Sequence, residues 1–331
     1  MFNSVFMLEH YFPASERVVG WKHSIRDRIA AGLECNGPGK IIRVERVSNI
    51  TPQEFRRRYL AKGIPVILDK AAAEWVCTRQ WSFDNFRQRF GGETIKLVQR
   101  KGLSDDDFID EREFSEELEF GHFLDQVQEG AAKYMRFSPL LERFPELRTD
   151  FDKKFLQEMP GRWTLGITYH AFIGGAGSYT PLHNAPVPFL FVNVCGIKHW
   201  ALIPNHYLST LNPAADGMGY NHSAAEVGRP DREAFPGFDC IDRMEATMEP
   251  GDVMYVPSWM WHSVRNESPT IGVRCGFIHP KSMVLESPTL AMIRVFAARN
   301  PTIWEGLYYA FFRKDLPSRD KMLLAASIKR D

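Results

Sequence analysis

Charge of one sign is missing from this chain: 41 Lys and Arg stand against 41 Asp and Glu, a formal net charge of zero over 331 residues. Nothing in that balance attracts a phosphate backbone or an anionic membrane, so neither nucleic acid nor a lipid surface is an expected partner. Cysteine is scarce too. The five (Cys35, Cys77, Cys195, Cys240 and Cys275) are odd in number and never form a Cys-x-x-Cys pair, which argues against a disulfide framework and a zinc ribbon; a reducing cytoplasm is the expected compartment. Long apolar runs are absent. The most apolar later stretch, Val187 to Ile203, is broken by Asn193, Lys198 and His199, so it reads as strands and not as a membrane span. The start lacks a basic region, and Glu9 and His10 close its first apolar patch, so no export signal is expected. There is no internal repeat and no low-complexity stretch.

What is present is a globular composition, 44% hydrophobic, long enough for one large domain with appendages or two modest ones. From Ile41 to Val98 strand-like and helix-like pieces alternate. IIRVERV and IPVIL read as strands, Thr51-Pro52 with Glu54 opens one helix, and Ser82 with Asp84 opens another. Lys101 to Glu119 is charged and reads as a solvated loop, with a lid over a site as the alternative. Beyond Trp163 the texture changes to short strand candidates between Gly and Pro: TLGITYHAFIG, VPFLFVNVC, IKHWALIP, DVMYVPS, WHSVRN and TIGVRCGFI. Such a series indicates a β-sandwich or barrel. From about Ser287 the pattern is helical, with Leu290, Ile293, Phe296 and Ala297 on one face, then Trp304, Leu307, Tyr308, Phe311 and Phe312 after Pro301. That much apolar surface either covers the barrel or makes a homodimer contact.

Three motifs fall in the strand-rich region: Thr180-Pro181-Leu182-His183-Asn184-Ala185, then Gly196-Ile197-Lys198, then Pro250-Gly251-Asp252 leading to Trp261-His262. In this order and spacing the chain resembles the JmjC-type, cupin-like family of iron and 2-oxoglutarate dependent oxygenases, the group that includes asparaginyl hydroxylases. The resemblance runs from about Ile41 through Pro280. It implies a mainly β fold with flanking helices, a double-stranded β-helix (jelly roll). The expected division is an extension over 1–40, the jelly-roll domain with an α/β part over 41–286, and a helical segment over 287–331. It also implies Fe(II) held by a His-x-Asp pair and a distant His, a facial triad with an open side for 2-oxoglutarate and dioxygen. His183 and His262 match the two histidines. Lys198 and Thr180 match the residues that bind the distal carboxylate of 2-oxoglutarate. Arg274 stands where other such oxygenases place an arginine for that task, so the two cations compete for one role; Lys198 is favoured, and Arg274 instead binds substrate or faces outward as an ordinary strand residue. Tyr134 either lines the cosubstrate pocket or packs in the core.

The departure from the family is at Ala185, a methyl group where the carboxylate ligand belongs. Asn184 is adjacent, but neighbouring strand residues point to opposite faces, so only a bulge would let it substitute. Phe189 departs as well, from a position commonly polar. Three readings follow. In the first, chloride or bromide takes the vacated position with the charge of the lost carboxylate, as the resemblance to non-haem iron halogenases with Ala or Gly there implies, and an unactivated C–H bond of a small molecule or amino-acid-like substrate is halogenated. In the second, an oxygenase draws its third ligand from water, Glu249, Asp252 or His170. In the third, the fold is a binding module without catalysis. Trp163, Tyr169, Tyr179, Phe189, Phe191 and Trp261 make an aromatic neighbourhood that suits an apolar or ring-bearing substrate, or simply a barrel core.

Overall fold

A computed structural model describes residues 1–13, 15–97, 116–138, 140–215 and 221–296. Its strands, in chain order, are β1 (Ile41–Arg43), β2 (Arg46–Val47), β3 (Val66–Leu68), β4 (Thr94–Leu97), β5 (Glu116–Glu119), β6 (Tyr134–Ser138), β7 (Leu165–Gly174) and β8 (Tyr179–Asn184). There follow β9 (Phe189–Cys195), β10 (Lys198–Ile203), β11 (Asn221–His222), β12 (Arg243–Met248), β13 (Val253–Val256), β14 (Trp261–Asn266) and β15 (Thr270–Ile278). Two sheets face each other, one of six strands in the order β1-β12-β10-β14-β8-β11, the other of seven in the order β2-β3-β13-β9-β15-β7-β6. This is the jelly-roll architecture with flanking helices.

Burial on both sides explains why the strands are nearly continuous in hydrophobicity instead of alternating. On β9, Phe189 and Phe191 enter the cluster between the sheets with Trp200, Leu202 and Met254. Leu190, Val192 and Val194 of the same strand face outward into a second cluster, under the helices carrying Phe55, Phe86 and Phe123. The six-stranded sheet is covered on its outer face by Trp259, Trp261 and Leu182 packed against Phe2, Phe6, Leu290 and Ile293. The amino-terminal helices Phe2–Tyr11 and Glu16–Glu34 therefore dock on the barrel, and a buried Lys22–Glu9 ion pair at 2.7 Å ties one to the other.

Both helix starts expected from capping residues are present. Thr51 and Glu54 form a reciprocal capping box on Pro52–Arg58, and the Ser82 hydroxyl accepts from the Asn85 N–H at the head of Phe83–Phe90. All six strand candidates beyond Trp163 are strands. IIRVERV, in contrast, is not one strand: it divides into β1 and β2, which pair with β12 and β3 in different sheets. Within the charged stretch expected to be loop, Glu116–Glu119 is β5, antiparallel to β4, while residues 101–115 lie outside the described residues. In the carboxy-terminal segment, Leu290 and Ile293 lie on the helix Pro288–Phe296 and are buried within the chain. The expected dimer-contact residues from Ala297 through Phe312 lie outside the described residues. All five cysteines are free, and among the described residues no helix is long and apolar enough to cross a membrane.

Candidate metal and cosubstrate site

The site is built on inward faces. In the pairing of β8 with β14, His183 stands directly opposite His262, and Thr180 opposite Val264. Three residues on one strand are matched by two on the other, so a bulge lies between them. That bulge is what lets Thr180 and His183, three apart in sequence, face the same interior. The Nδ1 of His183 lies 2.8 Å from the Pro181 carbonyl and that of His262 2.9 Å from the Met260 carbonyl. A carbonyl can only accept, so both protons sit on Nδ1 and both lone pairs on Nε2, the orientation that metal-ligating histidines adopt. The two rings are 4.1 Å apart between centroids. Burial holds both neutral: His262 is pushed down to about 4, and His183 falls well below the ordinary imidazole value, first from burial and then from His262 and His222.

His222 is the residue that sequence reasoning missed. On β11 it pairs directly with His183, its ring stacks on His183 at 6.0 Å, and burial pushes its pKa down to about 3. The three imidazoles therefore form a row across adjacent strands, His222–His183–His262. No motif announces His222, because the two-residue strand β11 has no hydrophobic alternation and its place is set only by pairing. Among the described residues, no three His, Cys, Asp or Glu side chains are already gathered on one point; His222 stands beside the pair, wider from His183 than His262 is.

Lys198, on β10, is fully buried. Its ammonium donates to Asn266 Oδ1 at 2.7 Å, Thr270 Oγ1 at 2.9 Å and the Tyr134 hydroxyl at 3.3 Å. All three are neutral, and burial with no carboxylate to offset it pushes Lys198 down to about 7. Tyr134 also has Thr180 as a hydrogen-bonding neighbour, so Lys198, Tyr134 and Thr180 form one polar group at the end of the site. Room for it comes from Gly272: a Cβ there would lie 2.6 Å from Phe191 Cζ and 3.3 Å from Lys198 Cε. Arg274, two residues along the same face of β15, turns the other way. Its guanidinium lies 4.7 Å over the Phe189 ring, donates to the Val187 carbonyl at 3.3 Å, and occupies the space where a Cβ on Gly276 would be, 2.5 Å from Nη1.

The proposed substitutes for the missing carboxylate do not converge here. Asp252 is wholly buried in the Pro-Gly-Asp turn, pairing with Arg46 at 2.8 Å and accepting from the Glu249 and Lys70 amides, while Glu249 pairs with Lys70 at 2.8 Å on the surface. His170 faces the interior opposite Arg274, with Phe137 5.9 Å from its ring. Asn184 points away, as strand alternation requires, accepting from Asn221 Nδ2 at 2.8 Å and donating to the Trp259 carbonyl. Ala185, just past the end of β8, takes the Trp259 N–H on its carbonyl. The aromatic neighbourhood divides. Phe189, 5.5 Å from the His262 ring, and Phe191 are inside; Tyr169 and Trp261 belong to the outer clusters; Trp163 is 79% exposed on an outer groove with Arg56 and Lys281.

Two oriented imidazoles and a buried ammonium with no carboxylate partner among the described residues fit a divalent iron and a dicarboxylate. Facing sheets closed over such a group define a cupin-type barrel. The chain belongs to the cupin-like domain family, whose match covers residues 52–281. Similar curated proteins include "Lysine-specific demethylase JMJ30" of Arabidopsis thaliana, 27% identical over 70% of this chain and 54% of that protein. "Lysine-specific demethylase 8" of Xenopus tropicalis is 27% identical over 64% and 48%. "2-oxoglutarate and iron-dependent oxygenase JMJD4" of Gallus gallus is 22% identical over 73% and 61%. The chain spans about half the length of the first two of these relatives.

Proposed function

We propose that the protein is an Fe(II) and 2-oxoglutarate dependent oxygenase of the JmjC type that hydroxylates a small molecule, with a non-standard third ligand in place of the Asp or Glu carboxylate. The observation that supports it most is the pairing of His183 and His262 with Lys198: two Nε2 lone pairs on one face, and beyond them a buried cation whose described partners are all neutral. In this reading His183 and His262 hold the iron, and Lys198, Thr180 and Tyr134 bind the distal carboxylate of 2-oxoglutarate. Bound there, iron and 2-oxoglutarate supply the oxidising power through decarboxylation of the cosubstrate by dioxygen. The chain's own residues orient the two, and Phe189, Phe191 and Trp200 keep water from the reacting face.

Anaerobic titration with Fe(II) and 2-oxoglutarate tests this reading through the metal-to-cosubstrate charge-transfer band. The band should form in the wild type and vanish in both His183→Ala and His262→Ala; a band that survives in both removes the ligand assignment. The names of the similar proteins are those of demethylases and an oxygenase. Ala185 supports a second reading, a halogenase in which chloride or bromide fills the place of the carboxylate. In that case millimolar halide should move the band, and bromide should move it differently from chloride. We also propose a cytoplasmic location, on the strength of the five free cysteines, and a homodimer through the carboxy-terminal helices.

A further inference from the structure

Arg274 is an interior cation of the barrel that nothing in the cosubstrate group uses. Its one described hydrogen bond is to a backbone carbonyl, and among the described residues it has no acidic partner. Opposite it in the β7–β15 register is His170, whose exposure is 7% and whose two ring nitrogens are both buried without a hydrogen-bond partner among the described residues. A buried imidazole with neither nitrogen satisfied is rare and costly, and it marks a place where a polar ligand belongs. The surroundings are built for one. Phe137 adopts φ of 52°, a left-handed conformation that a non-glycine residue holds only under constraint, and this sets its ring against His170 and Phe172. Gly276 leaves the space that the guanidinium occupies.

Direction separates this group from the cosubstrate group. Along the inward face of β15, Gly272 makes room for Lys198, whereas Arg274 leans towards Gly276, away from it. Phe189, under the Arg274 guanidinium, is also the ring beside His262, so a molecule held by Arg274 would reach the metal ligands from the side opposite Lys198. With alanine at position 185 the protein supplies no carboxylate there to balance these cations. A positively charged side chain such as methyl-lysine would meet Arg274 with nothing described to compensate it.

We propose that Arg274, with His170 as its neutral hydrogen-bonding companion, is the substrate-binding pair of this barrel, and that the substrate is a small molecule presenting a carboxylate to it. This rests on the iron and 2-oxoglutarate reading for the meaning of "substrate" but not for the binding itself. A guanidinium offers two parallel N–H donors to a carboxylate, and the imidazole adds a third donor or accepts from a neighbouring hydroxyl or amine of the same molecule.

The test compares matched ligands by calorimetry at saturating 2-oxoglutarate, with and without Fe(II) under anaerobic conditions: N-acetyl-glycine, N-acetyl-leucine and N-acetyl-phenylalanine, each against its carboxamide. At least one acid should bind the wild type tenfold or more tighter than its amide. Arg274→Gln should erase the preference, Gly276→Ala should weaken it by displacing the guanidinium, and Trp163→Ala, on the exposed outer groove, should leave it in place. Equal binding of acid and amide in all three pairs, or a preference that survives Arg274→Gln, overturns the proposal. So does loss of 2-oxoglutarate binding in Arg274→Gln, since Arg274 would then be the cosubstrate anchor. The charge-transfer band of the wild type is read in the same samples: its absence counts against the iron and 2-oxoglutarate reading, while the acid-to-amide ratio still decides the binding site.

Discussion

Lys198 carries a contradiction that only a ligand resolves. A lysine with no exposed surface and a pKa pushed to about 7 by burial is half deprotonated near neutrality, yet it stands among acceptors that favour its charged form. A dicarboxylate arriving at its ammonium raises that pKa again, so above pH 7 binding of 2-oxoglutarate should take up a proton, whereas well below pH 7 the lysine is already charged and no uptake occurs. Calorimetry in buffers of different ionisation enthalpy checks the sign, and affinity should fall as pH rises above 7. Lys198→Ala should weaken 2-oxoglutarate by about 2–4 kcal/mol, and Arg274→Ala by less. At position 185 the same logic of charge gives a second outcome. Ala185→Asp adds the missing carboxylate beside His183 and excludes a halide, so any halide response of the charge-transfer band should disappear in that variant; a response that persists locates the halide elsewhere. These residues were legible in the sequence because each belongs to a spaced motif. His222 and His170 were legible less well: one sits on a strand too short to show a period, and the other looks like any strand histidine until its nitrogens are found without partners among the described residues.

The strands that carry the motifs matter through their irregularities. Bulges between Thr180 and His183 and between Tyr134 and Ser138 turn residues inward that a regular two-residue period would separate. No sequence pattern marks a bulge directly, which is why strand positions were readable and side-chain directions around His183 were not. The Pro-Gly-Asp turn before β13 is the opposite case, a motif that looks chemical and is structural. Gly251 holds φ of 88°, and its backbone passes so close to Ala73 that a Cβ would lie 3.0 Å from the Ala73 Cα. Asp252 then clamps β2, β3 and the turn together through Arg46, the Lys70 amide and the Glu249 amide. Asp252→Ala should cost about 2–4 kcal/mol, since the amides lose a charged acceptor while Arg46 keeps Asp69 as a partner. Urea unfolding measures it. A loss below about 0.5 kcal/mol, the range of an ordinary surface change, would show that the turn is held by its backbone alone.

Across the whole molecule the interior is a store of neutral imidazoles, and this makes stability depend on pH in a stated direction. His262 is pushed to about 4, His170 and His222 to about 3, and His183 downward, all chiefly by burial. In the unfolded chain each titrates near 6.5, so between that value and the folded one the unfolded state binds protons that the folded state refuses. Stability therefore falls as pH drops below about 6.5, by at most about 1.4 kcal/mol per pH unit for each such histidine. Glu286 acts against this trend. Burial raises it to about 8, so it is protonated in the folded state where the unfolded chain has lost its proton, and its contribution grows as pH falls from 8 towards 4.5. Four imidazoles outweigh one carboxyl, and the net expectation is a protein markedly less stable at pH 5 than at pH 7. Urea titrations at the two values read the difference directly, and His170→Phe should shrink it by removing one proton from the balance without touching the His183–His262 pair. Fe(II) with 2-oxoglutarate should raise stability at both pH values without enlarging the difference, because they bind only the folded chain, whose imidazoles are already neutral at pH 5. If stability were flat from pH 7 to pH 5 in the metal-free protein, the interior histidines would have to be reached by water, and the dry, oriented lone pairs on which the iron assignment depends would be lost with them.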